Sequence, residues 1–76
     1  MNEVVLPELG EDIEKATVAC WHCRVGDSVK VDDDIVELVT DKASFNVSAG
    51  KSGIVKEIRV QEGEEASIGA VLAVIA

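Results

Sequence analysis

Short apolar runs alternate with turn-forming residues along the whole chain, and no segment keeps a helical apolar stripe for three turns. Pro7 stops the first run, and single glycines or acidic clusters separate the others. This spacing predicts about eight short strands and an all-β fold. The predicted strands cover residues 4–6, 17–23, 29–31, 35–39, 45–48, 54–60, 66–68 and 71–75.

The two halves of the chain repeat the same pattern at an offset of 37 residues. The repeat predicts two similar four-stranded units that pack face to face, with the chain ends close together. Lys42 corresponds to Val5, so the turn that contains Lys42 should lie at the opposite end from the termini. Val18, Trp21, Cys23, Gly26, Val29, Val31, Ile35 and Leu38 correspond to Val55, Ile58, Val60, Gly63, Ala66, Ile68, Leu72 and Ile75.

The composition supports a small β-sheet core. Apolar residues make up 47% of the 76 positions, and most of the large ones are the β-branched residues Val and Ile, which favour pleated strands. Trp21 and Phe45 are the only aromatic residues, and Trp21 is expected to anchor the core. The length fits one domain over residues 1–76, and a domain of this size leaves little room for a catalytic cleft.

The charge and the chain ends restrict the possible partners. A net charge of −8 disfavours nucleic acid and anionic membrane surfaces. The longest apolar run, residues 70–76, is too short to cross a bilayer. The first residues lack the basic and apolar regions of a signal peptide, which indicates an internal compartment.

Conventional catalytic and metal-binding patterns are weak in this sequence. Cys20 and Cys23 have the spacing of a redox pair or half of a zinc site, but residues three apart on a strand point to opposite faces. His22 is the only histidine, so four ligands cannot be assembled in a zinc-finger pattern. The sequence therefore predicts two reduced thiols, no metal site and no catalytic residues.

Lys42 is displayed in an unusual position. A strand runs directly into Thr40-Asp41-Lys42-Ala43, a turn that contains neither Gly nor Pro. Type I turns accept most residue types, and Thr and Asp suit their start. The lysine amine should project beyond the sheet, free of neighbours. From the residues alone, it could be an ordinary solvated lysine or an attachment point for a covalent group.

Nearly the whole chain resembles the lipoyl domains of the acyltransferase components of 2-oxo acid dehydrogenase complexes. The resemblance rests on the Asp-Lys-Ala tripeptide in register with several turn glycines, although Asp32 and Ala49 stand where the family often has Gly and Pro. The matching positions are Pro7, Gly10-Glu11, Trp21, Gly26-Asp27, Val29, Asp33, Ile35, Glu37, Thr40-Asp41-Lys42-Ala43, Gly53, Val55, Ile58, Glu62-Gly63, Gly69 and Leu72.

The resemblance implies a fold, a cofactor and a set of partners. The fold would be a flattened barrel or sandwich of two four-stranded antiparallel sheets with quasi-two-fold symmetry, a barrel-sandwich hybrid. Lipoate would be attached covalently to Lys42 by a lipoyl ligase, with Asp41 and Ala43 positioning the turn. The arm would visit a thiamine-diphosphate 2-oxo acid decarboxylase, the acyltransferase catalytic domain and the flavin dihydrolipoamide dehydrogenase. The acidic loop with Glu11, Asp12 and Glu14 would lie beside the lysine turn and help the decarboxylase to recognise its carrier.

Three other identities compete with a lipoyl domain. A biotinyl carrier domain shares the fold but presents Met-Lys-Met, whereas here Asp41 and Ala43 flank the lysine. The lipoylated carrier of the glycine-cleavage system is longer and has added helices. An unmodified structural sandwich would not require Asp-Lys-Ala. The chain is expected to be a non-catalytic piece of a larger acyltransferase, and Met1 without a transit segment favours a bacterial cytoplasm over a mitochondrial matrix.

Overall fold

A computed structural model describes residues 2–10 and 12–76 as a molecule built from eight strands. Those residues form no helix, and hence none that could cross a membrane. Each predicted strand is present, although the second, third and sixth were predicted two residues too long at their C-terminal ends. The strands are β1 (Asn2–Val5), β2 (Lys15–Trp21), β3 (Ser28–Val29), β4 (Asp34–Val39), β5 (Ser44–Ser48), β6 (Gly53–Ile58), β7 (Glu65–Ser67) and β8 (Val71–Ile75).

The strands form two antiparallel four-stranded sheets, which confirms the predicted architecture. Their orders are β1-β8-β6-β3 and β5-β4-β2-β7. The 37-residue offset carries β2, β3 and β4 onto β6, β7 and β8, so each position in one sheet has an equivalent in the other. The remaining equivalent pair is β5 and β1. The internal repeat is therefore a quasi-two-fold relation between the sheets.

The chain ends lie together, as the repeat predicts. Strand β1 pairs with β8, and Asn2 lies opposite Ile75 in that ladder. The equivalent ladder in the other sheet joins β4 to β5, where Val39 lies opposite Ser44. The termini and the turn after Val39 are therefore equivalent places in the two sheets, and the quasi-symmetry sets them apart from each other.

The core lies between the two sheets and is made of aliphatic side chains from both of them. Leu6, Ile35, Leu38, Leu72 and Ile75 are the largest side chains with almost no exposed surface. No polar or charged side chain of the described residues is buried with them. The stability of the fold therefore depends on the removal of apolar surface from water.

Trp21 contributes to the core from its edge and not from its centre. The side chain is half-buried and packs against the core cluster. Its indole N–H donates to the carbonyl of Val60 at 2.8 Å, and its backbone N–H donates to the carboxylate of Glu62 at 3.0 Å. The prediction that Trp21 is a packing residue is confirmed, but its polar end needs a position near the surface.

Two equivalent turns tie the sheets together by reciprocal backbone hydrogen bonds. The N–H of Gly26 donates to the carbonyl of Val55 at 2.7 Å, and the N–H of Gly63 donates to the carbonyl of Val18 at 2.8 Å. Each valine N–H returns a bond of 2.9 Å to the residue that follows the other half's glycine. Val18 and Val55 are themselves buried, so these four bonds hold each turn of one half to a core strand of the other.

Both glycines adopt a backbone conformation that a side chain disfavours. Gly26 has φ of 96° and Gly63 has φ of 88°. No atom lies within 4 Å of a Cβ built at either position. The requirement for glycine is therefore conformational and does not come from lack of space.

We predict that Gly26→Ala and Gly63→Ala each lower the free energy of unfolding by about 1–2 kcal/mol, because each places a Cβ in the left-handed region. Urea denaturation should shift the midpoint of both variants by similar amounts. Gly26→Asn is the matched control and should lose less, because Asn tolerates positive φ better than Ala. Unchanged midpoints in both alanine variants would contradict the assigned turn geometry.

Candidate functional site

The hairpin between β4 and β5 presents Lys42 to the solvent. The last pair of the ladder is Val39 with Ser44, and residues 40–43 form the connection. The Lys42 side chain is 56% exposed. The predicted exposure of Lys42 in a hairpin turn is confirmed.

The hydroxyl of Thr40 organises the turn. Its Oγ1 accepts hydrogen bonds from the N–H of Lys42 at 3.2 Å and of Ala43 at 3.1 Å, and it donates to the carbonyl of Ala43 at 3.2 Å. The backbone N–H of Thr40 also donates to the carbonyl of Ala43 at 2.8 Å. No non-glycine residue in the described ranges has positive φ, so the turn can be built without glycine.

Within the described residues, Thr40 makes the side-chain hydrogen bonds of the turn. The resemblance implied that Asp41 helps to position the turn, but it is the hydroxyl of Thr40 that binds the neighbouring backbone. Threonine hydroxyls close short turns in the same way as Asx side chains, although more weakly. Asp41 and Ala43 are both exposed beside the lysine. Their side chains are therefore available to an approaching protein.

Among the described residues, Asp12 is a charged neighbour of Lys42, contrary to the expectation that the amine would be free. Its Nζ lies 3.6 Å from Oδ2 of Asp12, whose side chain is 82% exposed. An ion pair this exposed contributes at most about 1 kcal/mol and is weakened by salt. The contact therefore leaves the amine accessible. It also confirms that the loop after β1 lies beside the lysine turn.

An open acidic groove of about 370 Å³ runs alongside this turn. Asp12, Glu14, Asp41 and Glu65 contribute carboxylates to its lining, and Lys15 contributes the one cation among the lining residues. The structure thus brings together three of the predicted recognition residues. Glu11, the fourth acidic residue of that set, lies outside the described residues. Its position relative to Lys42 stays a prediction.

The site is suited to hold an acyl group covalently on Nζ of Lys42. A lysine amide needs an amine that a modifying enzyme can reach, and the exposed hairpin apex offers one. The fixed part of the site is the turn, which its own hydrogen bonds hold. The arrangement therefore combines a rigid base with a long side chain that keeps its rotamer freedom.

The two cysteines do not form a joint site. Cys20 is half-buried on β2, whereas Cys23 lies beyond the end of that strand and is buried in the core. The Cys23 Sγ lies 4.0 Å from the carbonyl oxygen of Ile35. Burial raises the pKa of the Cys23 thiol, and the negative charge of Asp27 adds to this effect. Cys23 is therefore a poor nucleophile and a poor metal ligand.

Comparison with known proteins identifies the family to which the chain belongs. The model of the biotin/lipoyl family, described as biotin-requiring enzyme, matches residues 2–75. The chain is 41% identical over 75 residues to the dihydrolipoyllysine-residue succinyltransferase component of the 2-oxoglutarate dehydrogenase complex from Staphylococcus saprophyticus. It is 36% identical over 72 residues to the dihydrolipoyllysine-residue acetyltransferase component of the pyruvate dehydrogenase complex from Corynebacterium glutamicum.

These relatives are much longer proteins. The first alignment covers 99% of this chain and 18% of the succinyltransferase, and the second covers 95% of this chain and 11% of the acetyltransferase. The chain thus spans less than a fifth of the curated relatives that it matches. The similarity concerns the carrier region and not the remainder of those proteins.

Two solved structures share the fold. The lipoyl domain of the 2-oxoglutarate dehydrogenase complex from Azotobacter vinelandii superposes with a TM-score of 0.78 and 35% identity, over 97% of this chain and 94% of that domain. Urea carboxylase from Kluyveromyces lactis gives a TM-score of 0.75 over the whole chain, with 24% identity and 7% of the carboxylase covered. The second similarity concerns the fold alone.

We predict that Thr40→Val loosens the lysine turn while preserving the shape of the side chain. Removal of the hydroxyl should lower the free energy of unfolding by about 0.5–1.5 kcal/mol. Amide exchange at Lys42 and Ala43 should become faster, and NMR can measure it residue by residue. Thr40→Ser keeps the hydroxyl and should behave like the parent chain. Equal exchange rates in the Val and Ser variants would show that the hydroxyl does not hold the turn.

Proposed function

Because this chain belongs to the family of biotin and lipoyl carrier domains, and is a lipoyl domain within that family, we propose that Lys42 carries its covalent lipoyl group. The single observation that supports this residue is the exposed amine at the apex of the β4–β5 hairpin. The names of the relatives specify a dihydrolipoyl group on a lysine. Lys42 is the lysine of this chain that occupies such an apex.

Attachment converts the Lys42 amine into an amide. The lysine ammonium first releases one proton to free its lone pair. The Nζ nitrogen then forms a bond to the lipoyl carboxyl carbon, the activating group on that carboxyl leaves, and a second proton is released to the solvent as the amide forms. A lipoyl ligase supplies the activated carboxyl. The lysine loses its positive charge, so the ion pair with Asp12 no longer forms and the surface around the turn becomes more acidic.

When bound, the lipoyl group supplies a redox-active disulfide that can accept an acyl group. The residues of this chain fix the position of the lysine end of that arm. Thr40 keeps the turn closed, and the central strand β4 joins it to the core. Tethering raises the effective concentration of the arm at each partner, because every encounter after the first is intramolecular.

We infer that the partners are those of a 2-oxo acid dehydrogenase complex. They comprise a thiamine-diphosphate decarboxylase, an acyltransferase catalytic domain and a flavin dihydrolipoamide dehydrogenase. The two curated relatives named above are components of such complexes, and both come from bacteria. The carrier would then be one region of a longer acyltransferase, and its place of work would be a bacterial cytoplasm.

The acidic surface beside Lys42 is our candidate for recognition by the decarboxylase. Asp12, Glu14 and Asp41 surround the groove next to the turn, and all three are exposed. Charged rims steer association and discriminate between partners, and they contribute less to the affinity itself. The positions of these residues support contact with a basic surface that approaches the lysine. Glu11 and Ala43 complete the proposed recognition set.

A biotinyl carrier is the alternative with the same fold. The urea carboxylase similarity supports that fold only, because its identity is 24%. The relatives with higher identity carry lipoyl names, and Asp41 and Ala43 replace the methionines typical of the biotinyl hairpin. The lipoyl assignment is therefore favoured.

We predict that Lys42→Arg folds normally and gains no lipoyl mass when incubated with a lipoyl ligase, lipoate and ATP. Arginine keeps the charge but cannot form the amide. Lys51→Arg is the matched control, because Lys51 is also an exposed lysine in a connection, and it should be fully modified. Intact-mass spectrometry reads out both variants. Modification that persists in Lys42→Arg, or biotin transferred in place of lipoate by a biotin ligase, would refute the proposal.

We predict that the double variant Asp12→Asn, Glu14→Gln lowers kcat/KM of the cognate decarboxylase for the lipoylated chain by about 2- to 30-fold. The estimate follows from the loss of two exposed charge contacts of up to about 1 kcal/mol each. The effect should shrink at high salt. Glu3→Gln, Glu57→Gln removes the same number of exposed charges from the opposite sheet and should retain the parent value. Equal losses in both double variants would indicate a net-charge effect and not a recognition surface.

A further inference from the structure

A β-bulge in β2 turns Cys20 away from the core. Val18 pairs with Leu38, but the next pair in the ladder joins Cys20 to Glu37 and not Ala19 to Glu37. One extra residue is therefore inserted in β2. Without it, the strand alternation that buries Val18 would direct Cys20 to the same inner face. The bulge places the side chains of Cys20 and Glu37 side by side on the outer face of the sheet.

His22 joins this pair from the residue that follows β2. Its backbone N–H donates to the carbonyl of Ile35 at 2.8 Å, which holds that part of the chain against β4. The imidazole is exposed, whereas Cys20 and Glu37 are half-buried. One potential ligand atom from each of the three residues lies within 4.8 Å of the other two. A thiol, an imidazole and a carboxylate thus converge on one point of the surface.

The distances favour a shared metal ion over a nucleophile with its base. Zinc binds sulfur, nitrogen and oxygen ligands at about 2.0–2.3 Å, so tetrahedral ligands lie about 3.3–3.8 Å apart. Small rotations of the half-exposed side chains would bring the three atoms to that separation. A thiol activated by histidine needs a direct hydrogen bond of about 2.6–3.2 Å. In residues 2–10 and 12–76, no hydrogen bond links the side chains of Cys20, His22 and Glu37.

We propose that Cys20, His22 and Glu37 form a binding site for a divalent metal ion of the zinc class, with water as the fourth ligand. The mixture of sulfur, nitrogen and oxygen donors suits Zn²⁺. On binding, the Cys20 thiol releases its proton to the solvent and its sulfur bonds to the metal. The thiolate and the carboxylate together neutralise the two positive charges of the ion.

The surroundings of the cluster attract a cation. A second open groove is lined by His22 together with Asp27, Asp33 and Asp34, and the chain as a whole carries a net charge of −8. Negative clefts raise the local concentration of cations. Cys23 also lines this groove, but its side chain is buried in the core, and its sulfur is not one of the three converging ligand atoms.

The site depends on tertiary structure and has no signature in the sequence. The spacing of the two cysteines suggests a pair, but the bulge and the end of β2 send them to different environments. The third ligand, Glu37, comes from a neighbouring strand through the register of the ladder. The expectation of no metal site rested on Cys23 as the partner of Cys20 and did not take Glu37 into account.

Cobalt titration of the unlipoylated chain tests the proposal, since the unmodified form contains no lipoyl sulfur that could bind metal. Intact mass first verifies that Lys42 is unmodified. One equivalent of Co²⁺ should produce thiolate-to-cobalt charge-transfer absorption, and Zn²⁺ should displace it. Cys20→Ser should lose this absorption, and Cys23→Ala should retain it. Glu37→Gln and His22→Ala should each weaken binding at least about tenfold, because even outer-shell changes reduce metal affinity by about 10- to 100-fold.

The proposal fails if the parent chain binds no cobalt, or if the charge-transfer absorption persists in Cys20→Ser. It also fails if His22→Ala and Glu37→Gln leave the affinity unchanged. Amide NMR spectra of every variant verify the fold, so that loss of binding cannot be mistaken for unfolding. The residues involved are distinct from Lys42, and the result is therefore independent of the lipoylation test.

Discussion

The reciprocal hydrogen bonds that join each of two equivalent turns to a core strand of the opposite half are the constraint on which this structure depends. The N–H groups of Gly26 and Gly63 each donate a hydrogen bond to the carbonyl of a buried valine in the other half. The N–H of each valine donates a hydrogen bond back to a carbonyl of the same turn. Neither half can keep its turn without the other half's strand. This mutual requirement suits a chain of 76 residues, because a domain this small buries a limited share of its surface and needs its two sheets to be held in one relation.

The quasi-symmetry also explains where the lysine hairpin lies. In one sheet β4 and β5 are joined by a closed turn, and in the other the equivalent strands β8 and β1 carry the two chain ends. The lysine hairpin and the paired chain ends are thus equivalent positions in the two sheets. In the proposed function, an acyl arm on Lys42 would therefore start from the sheet that does not carry the chain ends.

Several functional features could be predicted from local patterns. Alternating apolar residues located all eight strands, because burial of one face imposes a period of two. The exposed position of Lys42 in a hairpin turn was also predicted, since the turn is a local structure. Other contacts were missed or misassigned. The hydroxyl of Thr40 holds the turn in place of the Asp41 carboxylate, and Asp12 lies 3.6 Å from the lysine amine. Both depend on side-chain geometry that a spacing argument does not contain.

The sequence by itself determined the strands, the internal repeat, the lysine turn and the resemblance to lipoyl domains. These properties arise from residues near one another in the chain or from the periodic spacing of apolar residues along it. Only the tertiary structure decided which distant groups meet. The register between β2 and β4, shifted by a bulge, places Glu37 beside Cys20 and buries Cys23 elsewhere. A shift of one residue in a strand reverses the face of every side chain that follows, and the packing of the core selects which register is stable.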